Sequence, residues 1–253
     1  MWNMSHPANE KPAIAIVQAR MGSTRLPGKV LMDLGGASVL ARVVHRLRRA
    51  NLIDRIIVAT TDSAADDPVV AEAKKLKADY FRGSEFDVLD RYYKAAVAFD
   101  AAVIVRITAD CPLIDPGLVN DTIRLLRKQN ADYASNSIAR AYPRGLDVEA
   151  CTAAALRLAW QKATEPYERE HVTPYIYEHP TLFRIASVFG TTDYSHYRWT
   201  LDTPSDLALL RAIYDRFHNN DNFAWRDVVS LMEREPQLAE LHSNVIQKSL
   251  QSN

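Results

Sequence analysis

Cysteine is nearly missing: Cys111 and Cys151 are the only two in 253 residues. Far apart and without metal-ligand spacing, they exclude a disulfide scaffold and a zinc site, and as two reduced thiols they fit a cytoplasmic protein. An excess of charge is missing too, since Lys plus Arg and Asp plus Glu are 31 each. A nucleic-acid binder draws affinity from counterion release and shows a basic surplus, so nucleic acid is not an expected partner and phosphate binding has to be local. No apolar run is long enough for a membrane span, which removes a membrane partner from the expectations. Met1 to Pro12 lack a hydrophobic core segment and read as a flexible polar tail, not a signal peptide. Repeats, low-complexity tracts and H-E-x-x-H spacing are absent, the last arguing against a zinc hydrolase.

What is present is alternation. Apolar residues are 47% and charged residues 25%, the balance of a soluble globular chain long enough to bury a sizeable core. Ala13–Gln18, Arg55–Thr60 and Ala102–Ile107 read as buried strands. Between and after them, 38–50, 66–77, 87–99 and 117–129 carry helical periodicity. In the first of these, Arg42, Arg46 and Arg49 are expected on the solvent face. Asp87 and Asp115 are expected as helix N-caps. Strands alternating with helices of this length mean βαβ units, hence an α/β fold with a three-layer, mostly parallel sheet.

The rhythm changes near residue 130. Short strands are expected at 132–135, 146–151 and 183–189, around the turn Tyr142-Pro143-Arg144-Gly145, with helices at 152–163 and 167–179. A strand at 198–201 ends in Asp202, and Thr203-Pro204-Ser205-Asp206 opens a capped helix. The expected organisation is a tail (1–12), a nucleotide-binding domain (13–217) with an insertion at about 130–197, and a peripheral helical segment (218–253).

The most informative stretch leaves the first strand: Gln18-Ala19-Arg20-Met21-Gly22-Ser23-Thr24-Arg25-Leu26-Pro27-Gly28-Lys29. Ligands of parallel α/β sheets bind at the carboxyl ends of strands. Glycines let backbone N–H groups approach phosphate oxygens, and Arg20, Arg25 and Lys29 would offset the charge of a triphosphate. The Walker pattern fails, because five residues separate Gly22 from Gly28 and Val30 follows Lys29. The dinucleotide fingerprint is absent as well. On composition alone a phosphate loop and a solvated basic turn stand level.

This run resembles the signature A-R-x-x-S-x-R-L-P-x-K of cytidylyltransferases that make CMP-activated sugars, a group that includes acylneuraminate and 3-deoxy-manno-octulosonate cytidylyltransferases. From Ile14 to Phe217 the chain is similar to the spore coat polysaccharide biosynthesis protein F family within that group. VATTDSAADDPVV (58–70), FRGSEFDVLDRYY (81–93), VRITADCPLID (105–115), YPRGLDVE (142–149), YEREHVTPYIYE (167–178) and RWTLDTPSDL (198–207) carry the likeness in order. It implies a Rossmann-like nucleotidyltransferase fold related to that of nucleotide-sugar glycosyltransferases. It also implies a transferase that moves CMP from CTP to an anionic or sugar acceptor and releases pyrophosphate.

Site roles follow from the same resemblance. Mg²⁺ takes one or two carboxylates plus phosphate oxygens and water, and Asp110 and Asp202 stand where similar enzymes place their metal aspartates. Arg20 and Lys29 are the candidates for stabilising charge on the α-phosphate and departing pyrophosphate. Ala19, Gly22, Ser23, Arg25 and Gly28 would cradle the nucleotide, and Arg82, Ser84, Thr61, Asp62 and Thr108 would lie near the cytosine. For Arg82 and Asp87 a surface salt bridge and a helix cap fit equally well. Arg144, Asp147, Glu149, Arg169 and His171 are acceptor candidates, although the charged residues around Arg169 also suit one solvated helix face. The insertion could form a homodimer interface through Tyr142, Trp160, Tyr175 and Tyr177. A glycosyltransferase on the same fold is the rival enzyme, disfavoured because Asp110-Cys111-Pro112 lacks the second aspartate of D-x-D. A silent nucleotide-binding protein is the non-enzyme alternative, and UTP or GTP would fit the same phosphate chemistry.

Overall fold

The computed structural model describes residues 12–241. The expected tail lies outside them, apart from Pro12. The strands are β1 (Ala13–Gln18), β2 (Arg55–Thr61), β3 (Asp79–Gly83), β4 (Val103–Thr108), β5 (Tyr133–Ser135), β6 (Glu149–Thr152) and β7 (Ile185–Ser187). The helices up to β7 are α1 (Val39–Leu47), α2 (Asp67–Lys75), α3 (Val88–Ala98), α4 (Pro116–Lys128), α5 (Ala153–Lys162), α6 (Pro166–His171) and α7 (Pro174–Tyr177). After it come α8 (Pro204–Arg216), α9 (Trp225–Arg234) and α10 (Gln237–Glu240). No helix among the described residues is long and apolar enough to cross a membrane.

All strands join one sheet in the order β3-β2-β1-β4-β6-β5-β7. Pairing is parallel except where β6 meets β4 and β5. Because β1 is central, its alternate residues serve two layers. Ala13, Ala15 and Val17 pack with α1, α4 and α9, while Ile14 and Ile16 pack with α3 and α5. Burying an aliphatic side chain contributes about 1.5–3 kcal/mol, so this double-faced core is the main driving force for the α/β arrangement. Tyr92 ties α3 to the sheet, its buried hydroxyl donating to the carbonyls of Ile16 (3.1 Å) and Ile107 (3.2 Å).

Several expectations change here. Residues 130–197, expected as an insertion in the core, add β5, β6 and β7 to the same sheet, with β6 paired directly to β4. The described part of the segment after 217, up to residue 241, is not peripheral: Phe223, Trp225 and Val228 are in the main core. Arg42 and Arg46, expected on the solvent face, are buried and donate to loop carbonyls. Arg42 holds Leu34 and Gly35; Arg46 holds Ile114, Asp221 and Phe223, fastening α1 to the loop before α9. β3 adds an edge strand that the sequence pattern hides. The expected helix at 167–179 is two short ones, broken where Val172 takes φ 74° ahead of Thr173-Pro174. Residues 198–201 form no strand, only a single bridge from Arg198 to Arg144. Of the aromatics named for a dimer face, Tyr142 is buried on Trp225, while Trp160, Tyr175 and Tyr177 are half-buried and meet Tyr93, Phe183 and Tyr133.

Candidate active site

β1, β2, β3 and β4 are parallel, so their carboxyl ends and the loops leaving them share one edge of the sheet. There an open cavity of about 820 Å³ is lined by the first loop, the start of α3, the Thr108–Asp110 segment, α6 and Asp202. This is the usual ligand position of an open α/β sheet and an ordinary small-molecule pocket size.

The first loop is held from both sides. The Met21 N–H donates to buried Asp66 (2.6 Å), whose other oxygen accepts from Thr61. The Gly28 N–H returns to the Met21 carbonyl (3.0 Å), closing the loop. Gly28 has φ 70°, a conformation that favours glycine, and it turns the chain into a short 3₁₀ turn that begins with Lys29.

Lys29 Nζ donates to Asp110 Oδ2 (2.7 Å), Asp202 Oδ1 (2.8 Å) and the Leu201 carbonyl (2.7 Å). Asp202 also meets Arg198 (2.6 Å) and Arg25 (3.1 Å). Asp206 accepts from Arg198 and caps α8 through the Asp202 and Thr203 N–H groups. A backbone bond from Leu201 N to the Asp110 carbonyl (2.8 Å) locks the two acidic loops together. Burial alone would push Lys29 down, but the two carboxylates outweigh it and hold the ammonium above its ordinary value. Burial would likewise raise Asp110, yet the Lys29 ion pair and hydrogen bond hold that carboxyl below the usual range.

Of the expected nucleotide residues, Ala19, Arg20, Gly22, Ser23, Arg25 and Thr108 line the cavity beside Lys29, Asp110 and Asp202. Gly28 lies behind them as the hinge of the loop. Arg82 turns away and donates to the carbonyls of Thr61 (2.9 Å) and Ser63 (2.7 Å) and to Asp67 (2.7 Å). Its surface salt bridge reading is what the structure contains. Thr61 is buried against Asp66, Ser84 Oγ accepts from the Asp87 N–H, and Asp62 is exposed off the cavity.

Among the acceptor candidates only His171 lines the cavity. Glu149 is buried under the sheet and accepts from Arg106, Tyr133 and Thr173, pinning the α6–α7 junction. Arg169 grips Asp87, the N-cap of α3, and the Trp160 carbonyl (2.7 Å), so it fixes α6 to α3. Asp147 pairs with Arg140 (2.6 Å), and Arg144 lies in the turn that meets Tyr197 and Trp199. Glu149 and Arg169 thus hold element junctions, whereas Asp147 is held in an ion pair and Arg144 anchors its turn through its backbone. Gln18, Glu85, Phe86 and Arg91 line the cavity and were not anticipated. Arg91 was detectable, because it falls three residues after Val88 and four before Ala95, within a buried helical stripe.

Residues 14–244 match the cytidylyltransferase family. The chain belongs to that family and is a nucleotidyltransferase. It is 41% identical over 239 residues to the Methanocaldococcus jannaschii protein MJ1063, which is called uncharacterized, covering 93% of this chain and 96% of that one. It is 37% identical over 231 residues to the spore coat polysaccharide biosynthesis protein SpsF of Bacillus subtilis, covering 88% and 95%. A 3-deoxy-manno-octulosonate cytidylyltransferase of Rhizobium johnstonii is 30% identical over 226 residues, covering 81% and 84%. Among solved structures, a cytidylyltransferase from Leptospira borgpetersenii superposes with a TM-score of 0.88 at 32% identity, covering 94% of this chain and all of that one.

Proposed function

We propose that this enzyme transfers CMP from CTP to a sugar acid or closely related anionic acceptor, releasing pyrophosphate, in the synthesis of a polysaccharide or glycoconjugate. The observation that carries the reading is the convergence of Lys29, Asp110 and Asp202 at the mouth of the cavity framed by Arg20 and Arg25. Family membership and relatives named for 3-deoxy-manno-octulosonate and coat polysaccharide support a sugar-acid acceptor.

The site fits a divalent cation. Both carboxylates reach within 2.8 Å of one ammonium nitrogen, so a cation already occupies the space between them. Among the described residues no group of three or more acidic, histidine or cysteine side chains could cage a metal. Two carboxylates with the remaining positions left to phosphate oxygens and water is the Mg²⁺ pattern. Asp110 and Asp202 would hold the ion, which supplies charge neutralisation on the phosphates when bound.

The chain's own part is positioning. Arg20, Arg25 and the first-loop backbone orient the triphosphate, and Lys29 offsets negative charge as the α-phosphorus is attacked in line by the acceptor oxygen. The P–O bond to the leaving pyrophosphate breaks as the new one forms. An acceptor that arrives ionised needs no general base.

Calorimetric titration of CTP, UTP, GTP and ATP, with and without Mg²⁺, into wild type and Asp110→Ala tests this. Mg²⁺-dependent binding of CTP in preference to the others, lost in Asp110→Ala, is expected, followed by pyrophosphate release when sugar acids are supplied. Selective binding of another nucleotide, or Mg²⁺-independent binding unaffected by Asp110→Ala, would overturn it.

A further inference from the structure

Within the cavity one cation is unlike the rest. Arg20 has Glu85 at 3.9 Å, Arg25 has Asp202 at 3.1 Å, and Lys29 has both aspartates. Arg91 is only 2% exposed, lines the same cavity, and among the described residues has no carboxylate at ion-pair distance. One nitrogen donates to the Ser84 carbonyl (3.0 Å), while its buried Nε has no partner. A buried cation with an unmet donor is costly and calls for compensation from something that binds. Gln18, which lines the same cavity, supplies the complementary irregularity: its Oε1 is buried and lacks a donor. Gln18 follows Ile14 and Ile16 on the α3-facing side of β1, the side on which Arg91 lies.

Resting on the CTP reading above, we infer that Arg91 and Gln18 form the base-reading end of the site and select cytosine over uracil. The phosphate end is fixed elsewhere, by Lys29, Asp110 and Asp202 beyond β4. Arg91 instead lies beside Ser84 and Gly83, where β3 ends, on the other side of β1. An inorganic anion could satisfy Arg91 but brings no donor for Gln18 Oε1. Cytosine satisfies both, since O2 and N3 accept and the N4 amino group donates. A guanidinium has donors only. Opposite uracil it meets the N3–H with a second donor, and the amide oxygen meets O4 with a second acceptor. The selection is therefore built from mismatched polar groups on buried side chains, where an unmet hydrogen bond is costly.

The test is calorimetry of CTP, UTP and inorganic tripolyphosphate, each with Mg²⁺, on wild type, Arg91→Met, Arg91→Lys and Gln18→Leu, with melting temperatures alongside. Arg91→Met should weaken CTP about tenfold to a hundredfold and UTP much less, leaving tripolyphosphate unchanged. Its melting temperature should stay level or rise, because an unpaired buried charge is removed while the apolar stem remains. Arg91→Lys, which keeps the charge and loses the fork, should fall between, and Gln18→Leu should narrow the CTP-to-UTP ratio. A variant that loses tripolyphosphate as much as CTP would make Arg91 a phosphate contact and overturn the inference. So would unchanged CTP selectivity in Arg91→Met. Failure of the wild type to prefer CTP would instead sink the nucleotide reading itself, and this one with it.

Discussion

Replacing Lys29 by methionine isolates what the ammonium does between Asp110 and Asp202. Methionine keeps the unbranched stem but removes the three donors to Asp110, Asp202 and Leu201. Losing one partner of a buried ion pair costs about 3–5 kcal/mol. Here Asp110 and Asp202 side chains remain 25% and 17% exposed, and Asp202 keeps Arg25 and Arg198. That reduces the expected loss to about 2–3 kcal/mol at neutral pH. For a chain of this size it lowers the melting temperature by about 4–12 °C. The pH dependence gives the mechanism away. In the wild type burial would raise Asp110, but Lys29 holds its folded pKa below the unfolded value, so this pairing stabilises above about pH 4 and fades as pH falls through the folded pKa. In Lys29→Met burial is opposed only by the Thr108 and Cys111 hydrogen bonds, so the Asp110 pKa should rise. The variant's deficit should therefore be large at pH 7 and shrink in acid. Circular dichroism melts of both proteins from pH 7 to pH 4 read this directly. A melting point matching the wild type at pH 7, or a deficit that does not change with pH, would refute the idea that Lys29 neutralises this carboxylate pair.

Glu149→Gln should leave Arg106 buried without its counter-charge and cost about 3 kcal/mol at pH 7, read as a lower urea midpoint. Burial raises Glu149 but Arg106 and two hydroxyl donors hold it lower, so the wild type loses this contribution as pH falls below 4.5, and the variant's acid limb should be flatter. Gly145→Ala should destabilise by about 3 kcal/mol, because φ is 97° and a Cβ would sit 2.7 Å from the Trp199 carbonyl carbon; an unchanged melting temperature would contradict the close approach. Burial pushes Cys151 up to about 12 and Cys111 well above its ordinary value, so neither thiol should react with a colorimetric disulfide reagent near pH 8 until guanidinium unfolds the chain. Labelling of the native protein would show an opening that the packing does not contain.

The sequence announces those elements whose apolar residues form runs. β1 has the expected bounds, Ala13–Gln18, because both of its faces are buried and the run is unbroken. Helix starts were equally plain where a side chain caps: Ser38, Asp87, Asp115 and Thr203 each accept from N–H groups of the first turn. β3 was hidden because DYFRG is a half-exposed edge strand with charged residues at both ends of its apolar pair. The break between α6 and α7 was written in Thr173-Pro174, since proline disfavours helix in the residue before it, but the apolar spacing across it mimics one helix. Arg42 and Arg46 misled because periodicity assigns arginine to solvent, whereas a guanidinium can be buried when carbonyl oxygens surround it. The same logic divides the site. The first loop was legible from contiguous residues, while the meeting of Asp110 with Asp202 depends on a backbone contact between distant loops. Glu149 and Arg169 sat in resembling segments yet serve the scaffold, because a segment's chemistry says which bonds it can make and not which way it faces.

Most charged side chains in the cavity and just behind it are paired within the chain. Arg20 is balanced by Glu85, and Lys29, Arg25 and Arg198 are balanced by Asp110, Asp202 and Asp206. Apart from Arg91, which among the described residues has no carboxylate at ion-pair distance, the arginines and lysine of this site are already paired. Binding must either exchange these internal partners for phosphate oxygens or bring its own cation. Exchange alone would expose Asp110 and Asp202 to each other and to the phosphates, a like-charge arrangement that costs several kcal/mol in a partly desolvated site. On the proposed reading, a divalent ion held by Asp110 and Asp202 would offset that cost and leave Lys29 and Arg25 for the phosphates. The charge balance of the site is thus a second argument for the proposed Mg²⁺, beside the resemblance that first suggested it.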